Sequence, residues 1–214
     1  MKQIILIRHG QAENNLPNSV VGGWSDVSLT ELGIKQAEAV AIRLVDELNG
    51  TYKIYSSDLN RARQTAEIIC SKLNAAPTYA IELREFNAGI ASGMDRKLAE
   101  THFKKVTSPM LDWRPYPESE SLGEFYNRVT SFMDKLSEIE ERVLIVSHGG
   151  PIQNIIKWWI GTPISGIFKV EFGTANTSVT VLDTTMYNNR RIERLNDTSH
   201  YTRIGLTNPI EFLS

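Results

Sequence analysis

Short apolar runs alternate along this chain with longer stretches in which apolar positions recur at helical spacing. Residues 3–8 ("QIILIR"), 53–57 ("KIYSS") and 142–148 ("RVLIVSH") are brief, rich in β-branched or aromatic residues, and stop at polar or glycine punctuation. Such runs read as strands covered on both faces, as in parallel sheets clad by helices. A fourth run, 177–183 ("TSVTVLD"), alternates more and is expected toward a sheet edge, where it could pair across the two-fold axis of a homodimer.

The intervening stretches are amphipathic. Over residues 30–48, Leu32, Ala37, Ala41, Leu44, Val45 and Leu48 share one helical stripe that Asn49-Gly50 stops. Ala62, Ala66, Ile69 and Leu73 do the same over 57–73. Residues 121–140 open with a capping box, Ser121 and Glu124, and turn Phe125, Val129, Phe132, Leu136 and Ile139 inward. Residues 150–161 place Pro151 near a helix start and Gly161 near its end. Strand followed by helix, repeated, predicts an α/β fold: a three-layer α/β/α sandwich on a mostly parallel central sheet. No repeat or linker divides it, so one domain is expected over 1–214. An irregular insertion at about 86–117, with "FNAGIASGM" and "DWRPYPES", is expected to form a wall or lid over a pocket.

Composition narrows the class. A chain of 214 residues is long enough to bury roughly 70% of its unfolded surface around one core. Hydrophobic residues at 41% and charged residues at 22% fit a soluble protein, with no run of membrane-spanning length. "MKQIILIRHG" is interrupted too early by Arg8 for a secretory signal, so a cytoplasmic location is expected. Lys and Arg number 23 against 25 Asp and Glu, which gives no general attraction to nucleic acid or to a membrane surface. Any bound anion must be held locally. The single cysteine, Cys70, reads as a small buried hydrophobe.

Ligands of open α/β sheets bind at the carboxyl ends of the strands. Three predicted strand ends carry reactive groups: Arg8-His9-Gly10, Ser56-Ser57-Asp58 leading to Arg61, and Ser147-His148-Gly149. Parallel strands bring all three to one place. Two arginines that cannot lose their charge repel unless an anion lies between them, and guanidinium forks match phosphate oxygens. A neutral imidazole beside them could attack phosphorus. Ser57 reads as a helix cap rather than a nucleophile.

These motifs resemble the histidine phosphatase superfamily, which contains cofactor-dependent phosphoglycerate mutases and many phosphatases. Arg8-His9-Gly10 with Asn15, "GGWSDVSLTELGIKQA" at 22–37, "YSSDLNRARQTAEI" at 55–68, "LREFNAG" at 83–89, "ESLGEFYNRV" at 120–129 and "LIVSHGG" at 144–150 stand in the family's order. The resemblance implies a phosphoglycerate mutase-like fold, with His9 as nucleophile and Arg8, Arg61 and His148 around the phosphoryl group. Gln11 and Asn15 would add neutral hydrogen bonds. Glu85 would protonate the leaving alcohol and then activate water, although "ELREF" also offers Glu82 and Arg84. Gly23 and Gly149 are expected at the substrate, Gly23 in a loop whose backbone amides could reach it. No metal ion and no cofactor is expected. His102 and His200 stay outside the expected site, with His200 able to return to its rim.

The resemblance leaves three activities open. Hydrolysis of a small phosphomonoester, as a phosphatase of the histidine acid type, is favoured, since no basic pair beyond Lys104-Lys105 follows Glu85. A phosphoglycerate mutase and a non-catalytic phospholigand-binding protein are the alternatives. The chain departs from many phosphatase members at Ile90-Ala91-Ser92-Gly93, where they carry an aromatic and an acidic residue.

Overall fold

Four consecutive buried residues, Ile4 to Ile7, make the first strand the centre of the molecule. In the computed structural model, which describes residues 1–206, β1 (Gln3–Arg8) lies between β4 (Arg142–Ser147) and β5 (Val179–Thr184) in a sheet of order β3-β2-β4-β1-β5-β6. Residues 207–214, the end of the expected domain, lie outside the described residues. β2 (Lys53–Ser56), β3 (Thr78–Tyr79), β4 and β1 run parallel, while β5 and β6 (Arg190–Asp197) are antiparallel additions.

Because side chains alternate across a strand, β1 and β4 feed two cores. Ile4, Leu6, Val143 and Ile145 pack under α4 (Leu122–Ile139) and α5 (Gly149–Trp159), against Val129, Met133, Ile152 and Trp159. Ile5, Ile7, Leu144 and Val146 pack under α1 (Glu31–Glu47) and α2 (Asn60–Leu73), against Val40, Leu44, Ala66 and Ile69. Cys70 is buried in this second core. The result is the expected three-layer α/β/α arrangement, and among the described residues no helix is long and apolar enough to cross a membrane.

The local chemistry explains the helix ends. Thr30 Oγ1 accepts from Gly33 N at 3.1 Å to start α1, and Ser121 and Glu124 form the expected reciprocal box at α4. Asn74, in the left-handed region at φ +50°, ends α2. Three expectations change. Val45 and Ile139 are exposed rather than inward: α1 presents a narrower stripe, and Ile139 ends α4 beyond Leu136. The strand at 179–184 is not an edge, because β1 and β6 take both its sides, so it has no free side for a two-fold partner. The edge is β6, whose exposed Arg190, Arg191, Glu193 and Arg194 guard it against further pairing.

A short fifth helix, α3 (Arg96–Glu100), lies within the 86–117 segment. Met110 and Trp113 of this segment line a cavity above α4 and α5.

One close approach ties the α1 start to the loop after β1. A Cβ on Gly33 would lie 2.0 Å from Gln11 O, and one on Gly10 would lie 2.4 Å from Gly33 O. Gly33→Ala is therefore expected to destabilise the fold by about 1–3 kcal/mol through overpacking. Urea unfolding checks this; an unchanged midpoint would mean that α1 can retreat freely.

Candidate active site

The loop after β1 and the start of α5 bring His9 and His148 together, with ring centroids 5.0 Å apart. Both rings are buried. His9 Nδ1 lies 2.7 Å from Gly10 O, and a carbonyl only accepts, so Nδ1 carries the proton and Nε2 keeps its lone pair. Burial, then Arg61 and Arg8, hold the His9 pKa well below its ordinary range, against the Gly10 hydrogen bond. Burial, then Arg61 and His9, do the same to His148. Both imidazoles are neutral at pH 7, the form a nucleophile requires.

Two guanidiniums flank them. Arg8, at the end of β1, donates to Thr174 O at 2.5 Å; Arg61, in the first turn of α2, donates to Ser25 O at 2.7 Å and Gly23 O at 2.9 Å. Burial lowers the Arg8 pKa and brings Arg61 to about 10, with Glu85 the leading opposing charge on each. They remain cations at neutral pH. Arg8 Nε, Arg61 Nε and His148 Nδ1 are buried without a hydrogen-bond partner among the described residues. Unpartnered buried polar atoms are rare, and three in one cluster of positive potential describe an oxyanion site.

Glu85 faces this cluster from the loop after β3. Its Oε2 accepts from Gly150 N at 3.3 Å and its Oε1 from Phe86 N at 2.8 Å. The neighbouring charges have other occupations. Arg84 pairs bidentately with Asp58 at 2.6 and 2.7 Å, while Glu82 is engaged through its backbone carbonyl, which accepts from Arg128 at 2.8 Å.

The neutral candidates occupy the rim. Asn15 Oδ1 accepts from Ala12 N at 2.9 Å and Asn176 Nδ2 at 3.3 Å, and Gln11 Oε1 accepts from Thr30 Oγ1 at 2.8 Å. The oxygen end of each amide is committed, so the nitrogen end is the one able to meet an anion. Gly23 stands at φ +46°, where a Cβ would lie 2.6 Å from Ser92 Oγ, and it turns its carbonyl to Arg61. Its visible work is to aim that guanidinium. Gly149 follows His148 at the first turn of α5.

Several supporting residues have no local sequence signal. Ser57 does not cap α2, which begins at Asn60 behind Leu59; its Oγ accepts from Leu59 N at 3.3 Å and lies 2.8 Å from His148 Nε2. The tautomer in which Ser57 donates to Nε2 puts the His148 proton on the unpartnered Nδ1, where it would serve as a donor for an oxyanion. Arg128 of α4 binds the carbonyls of Glu82, Arg84 and Glu85 and pairs with Glu120 at 2.6 Å, while Trp24 Nε1 donates to Glu85 O at 2.8 Å. Glu85 is thus held from its backbone by residues about 40 and 60 positions away.

His200 is not on the rim. It lies buried on the side of α1, where Arg43 Nη1 donates to Nδ1 at 3.3 Å and Nε2 meets Thr177 Oγ1 at 3.1 Å. Thr177, at φ +50°, donates its N–H to Arg8 O at 3.0 Å and to His9 O at 3.3 Å. Arg43 also pairs with Asp197 at 2.5 Å. His102 is exposed, as is its surrounding segment.

Residues 4–198 match the model of the histidine phosphatase superfamily, branch 1. The chain belongs to that family. It is 31% identical over 215 residues to a protein of Proteus mirabilis named probable phosphoglycerate mutase GpmB, covering 96% of this chain and 98% of that one. The protein of the same name from Escherichia coli is 33% identical over 175 residues, covering 76% of this chain and 77% of its own. The alpha-ribazole phosphatase of Shigella flexneri superposes with a TM-score of 0.77 at 25% identity, over 92% of this chain and 96% of that one. A mycobacterial glucosyl-3-phosphoglycerate phosphatase holding inorganic phosphate has the same fold, with a TM-score of 0.75 at 23% identity, over 94% and 99%.

The histidine network sets a pH dependence. Burial, then Arg43, lower the His200 pKa to about 4 from 6.5, against Asp197. The unfolded chain therefore binds this proton more readily, and stability is lost as pH falls from 6.5 toward about 4. Hydrogen bonds from Arg43 and Ser199 outweigh the burial that opposes them and hold Asp197 at about 2, so its contribution is lost below 3.8. His200→Gln is expected to flatten part of the slope between pH 6.5 and 4 in urea midpoints; an unaltered slope would assign the dependence to His9 and His148 alone.

Proposed function

We propose that this chain hydrolyses a small phosphomonoester without a metal ion, through a phosphohistidine formed on His9. One observation carries this: two neutral imidazoles 5.0 Å apart, flanked by the buried Arg61 and the half-buried Arg8, with three buried polar atoms that no described residue satisfies. A phosphoryl group has the charge and the acceptor oxygens to occupy that space.

In the first step His9 Nε2 attacks phosphorus. The P–N bond forms, the P–O ester bond breaks, and protonated Glu85 gives its proton to the leaving oxygen. Arg8, Arg61 and His148 Nδ1–H take the charge on the equatorial oxygens, the service a metal ion would otherwise perform. In the second step the Glu85 carboxylate removes a proton from water, whose oxygen attacks phosphorus as the P–N bond breaks. Inorganic phosphate leaves, and His9 returns neutral with its Nδ1–H still donating to Gly10 O.

Phosphoglycerate mutase activity is the second reading, favoured by the name of the GpmB relatives. That reaction needs the phosphohistidine shielded from water and further cations for a second acidic group. Lys104 and Lys105 are exposed, and Arg84, Arg114 and Arg128 are already paired with Asp58, Glu124 and Glu120. These commitments support hydrolysis; Lys157, a nearby cation outside them, serves an acidic alcohol equally in either reading.

Purified protein in chelator, offered p-nitrophenyl phosphate and a panel of phosphorylated metabolites, is expected to release phosphate steadily. Isomerisation of phosphoglycerate outrunning release would favour the mutase, and silence on every substrate a binding protein. His9→Ala is expected to abolish both turnover and the acid-labile phosphoenzyme; wild-type turnover in that variant would sink the mechanism. Glu85→Gln is expected to slow esters with poor leaving groups by roughly 10²–10⁴-fold, and nitrophenyl esters far less. Equal loss on both would remove Glu85 from the acid role.

A further inference from the structure

Beyond Glu85 the α5 helix borders a cavity of about 290 Å³. Gly150 joins it to the catalytic cluster: a Cβ there would lie 2.3 Å from Glu85 Oε1 and 2.8 Å from Phe125 Cζ. Trp113, Phe125 and Phe168 supply aromatic surface to its walls. Such a space matches a ring-sized body next to the group that protonates the leaving oxygen.

Of the polar side chains that line it, Asn154 and Lys157 are spaced from Gly150 by four and then three residues, which stacks all three on one helical face. Asn154 is 8% exposed, and its Nδ2 is buried with no hydrogen-bond partner among the described residues. Lys157 is 7% exposed, and its ammonium has no hydrogen bond and no ion pair within 4 Å among the described residues. Burial lowers its pKa, opposed only by the charge of Glu171, an exposed residue lining the same cavity. A buried amide donor without a partner, about one helical turn from an unpaired ammonium on a largely buried side chain, is costly to the folded chain unless something with negative charge meets them. No step of the hydrolysis uses either.

We propose that this cavity is the leaving-group subsite, and that Lys157 and Asn154 select phosphomonoesters whose alcohol carries an anionic acceptor such as a carboxylate. The proposal rests on the hydrolase reading and names its substrate class. The aromatic walls hold the body of the alcohol, and the α5 donors hold its charged end. The anion also explains how a largely buried lysine is tolerated in a cavity whose walls include Phe125, Ile167 and Trp113 as well as Glu171.

The test compares phenyl phosphate with 3- and 4-carboxyphenyl phosphate on wild type, Lys157→Met, Lys157→Arg and Asn154→Ala. Comparing the carboxylated-to-plain ratio of kcat/KM between variants cancels the intrinsic reactivity of each ester. Lys157→Met is expected to lower that ratio about tenfold or more, Asn154→Ala to lower it less, and Lys157→Arg to restore part of it. Ratios within about twofold of wild type in both Lys157→Met and Asn154→Ala would overturn the subsite while leaving the hydrolase reading intact. Should Lys157→Met not fold, Asn154→Ala against Lys157→Arg decides on the same criterion. If wild type hydrolyses neither ester, calorimetric titration with 4-hydroxybenzoate separates the two readings. Binding that Lys157→Met or Asn154→Ala weakens about tenfold supports the subsite without the hydrolase, and no binding to wild type overturns the subsite as well.

Discussion

Crowding two guanidiniums, one of them fully buried, against two buried and uncharged imidazoles at one end of a parallel sheet is the constraint on which this structure turns. Like charges cannot be crowded there cheaply, and burial adds to the cost of each. The fold answers with carbonyls rather than carboxylates. Thr174, Gly23 and Ser25 take the guanidinium donors through their backbone oxygens, so the positive potential is anchored but not neutralised. A carboxylate in each of those places would have spent the charge that an incoming anion needs.

Around this cluster the supporting residues form two distinct mountings. On one side Arg128 and Trp24 grip the backbone of the Glu85 loop, leaving its carboxylate to Gly150 and the cluster. On the other, His200 and Arg43 brace Thr177, whose left-handed backbone reaches the carbonyls of Arg8 and His9. The strain of that non-glycine conformation persists because tertiary contacts over-determine it. His9 is therefore held by the sheet beneath it and by a polar network behind it.

The sequence discloses these parts unequally. β1 and β4 are legible because residues covered on both faces must be apolar without interruption, and α4 because its cap is a reciprocal pair of side chains. His9, His148, Arg8 and Arg61 are legible because parallel topology converts distant strand ends into neighbours. β6 is hidden: an edge strand that repels partners is written in arginine and glutamate and reads as solvated loop. Ser57 looks like a helix cap because its bond to His148 spans 91 residues. Arg128, Trp24 and His200 act only through tertiary contacts, and no spacing announces them.

Gly150 has a further consequence. The missing side chain there gives Glu85 and Phe125 their places at once, so the room for the proton donor and the mouth of the neighbouring cavity are carved from the same few cubic ångströms. Divergence toward new alcohols cannot begin at that position without dislodging the chemistry. It falls instead to other residues of the lining, such as Met110, Trp113 and Phe168, which share none of Gly150's close approach to Glu85 and Phe125.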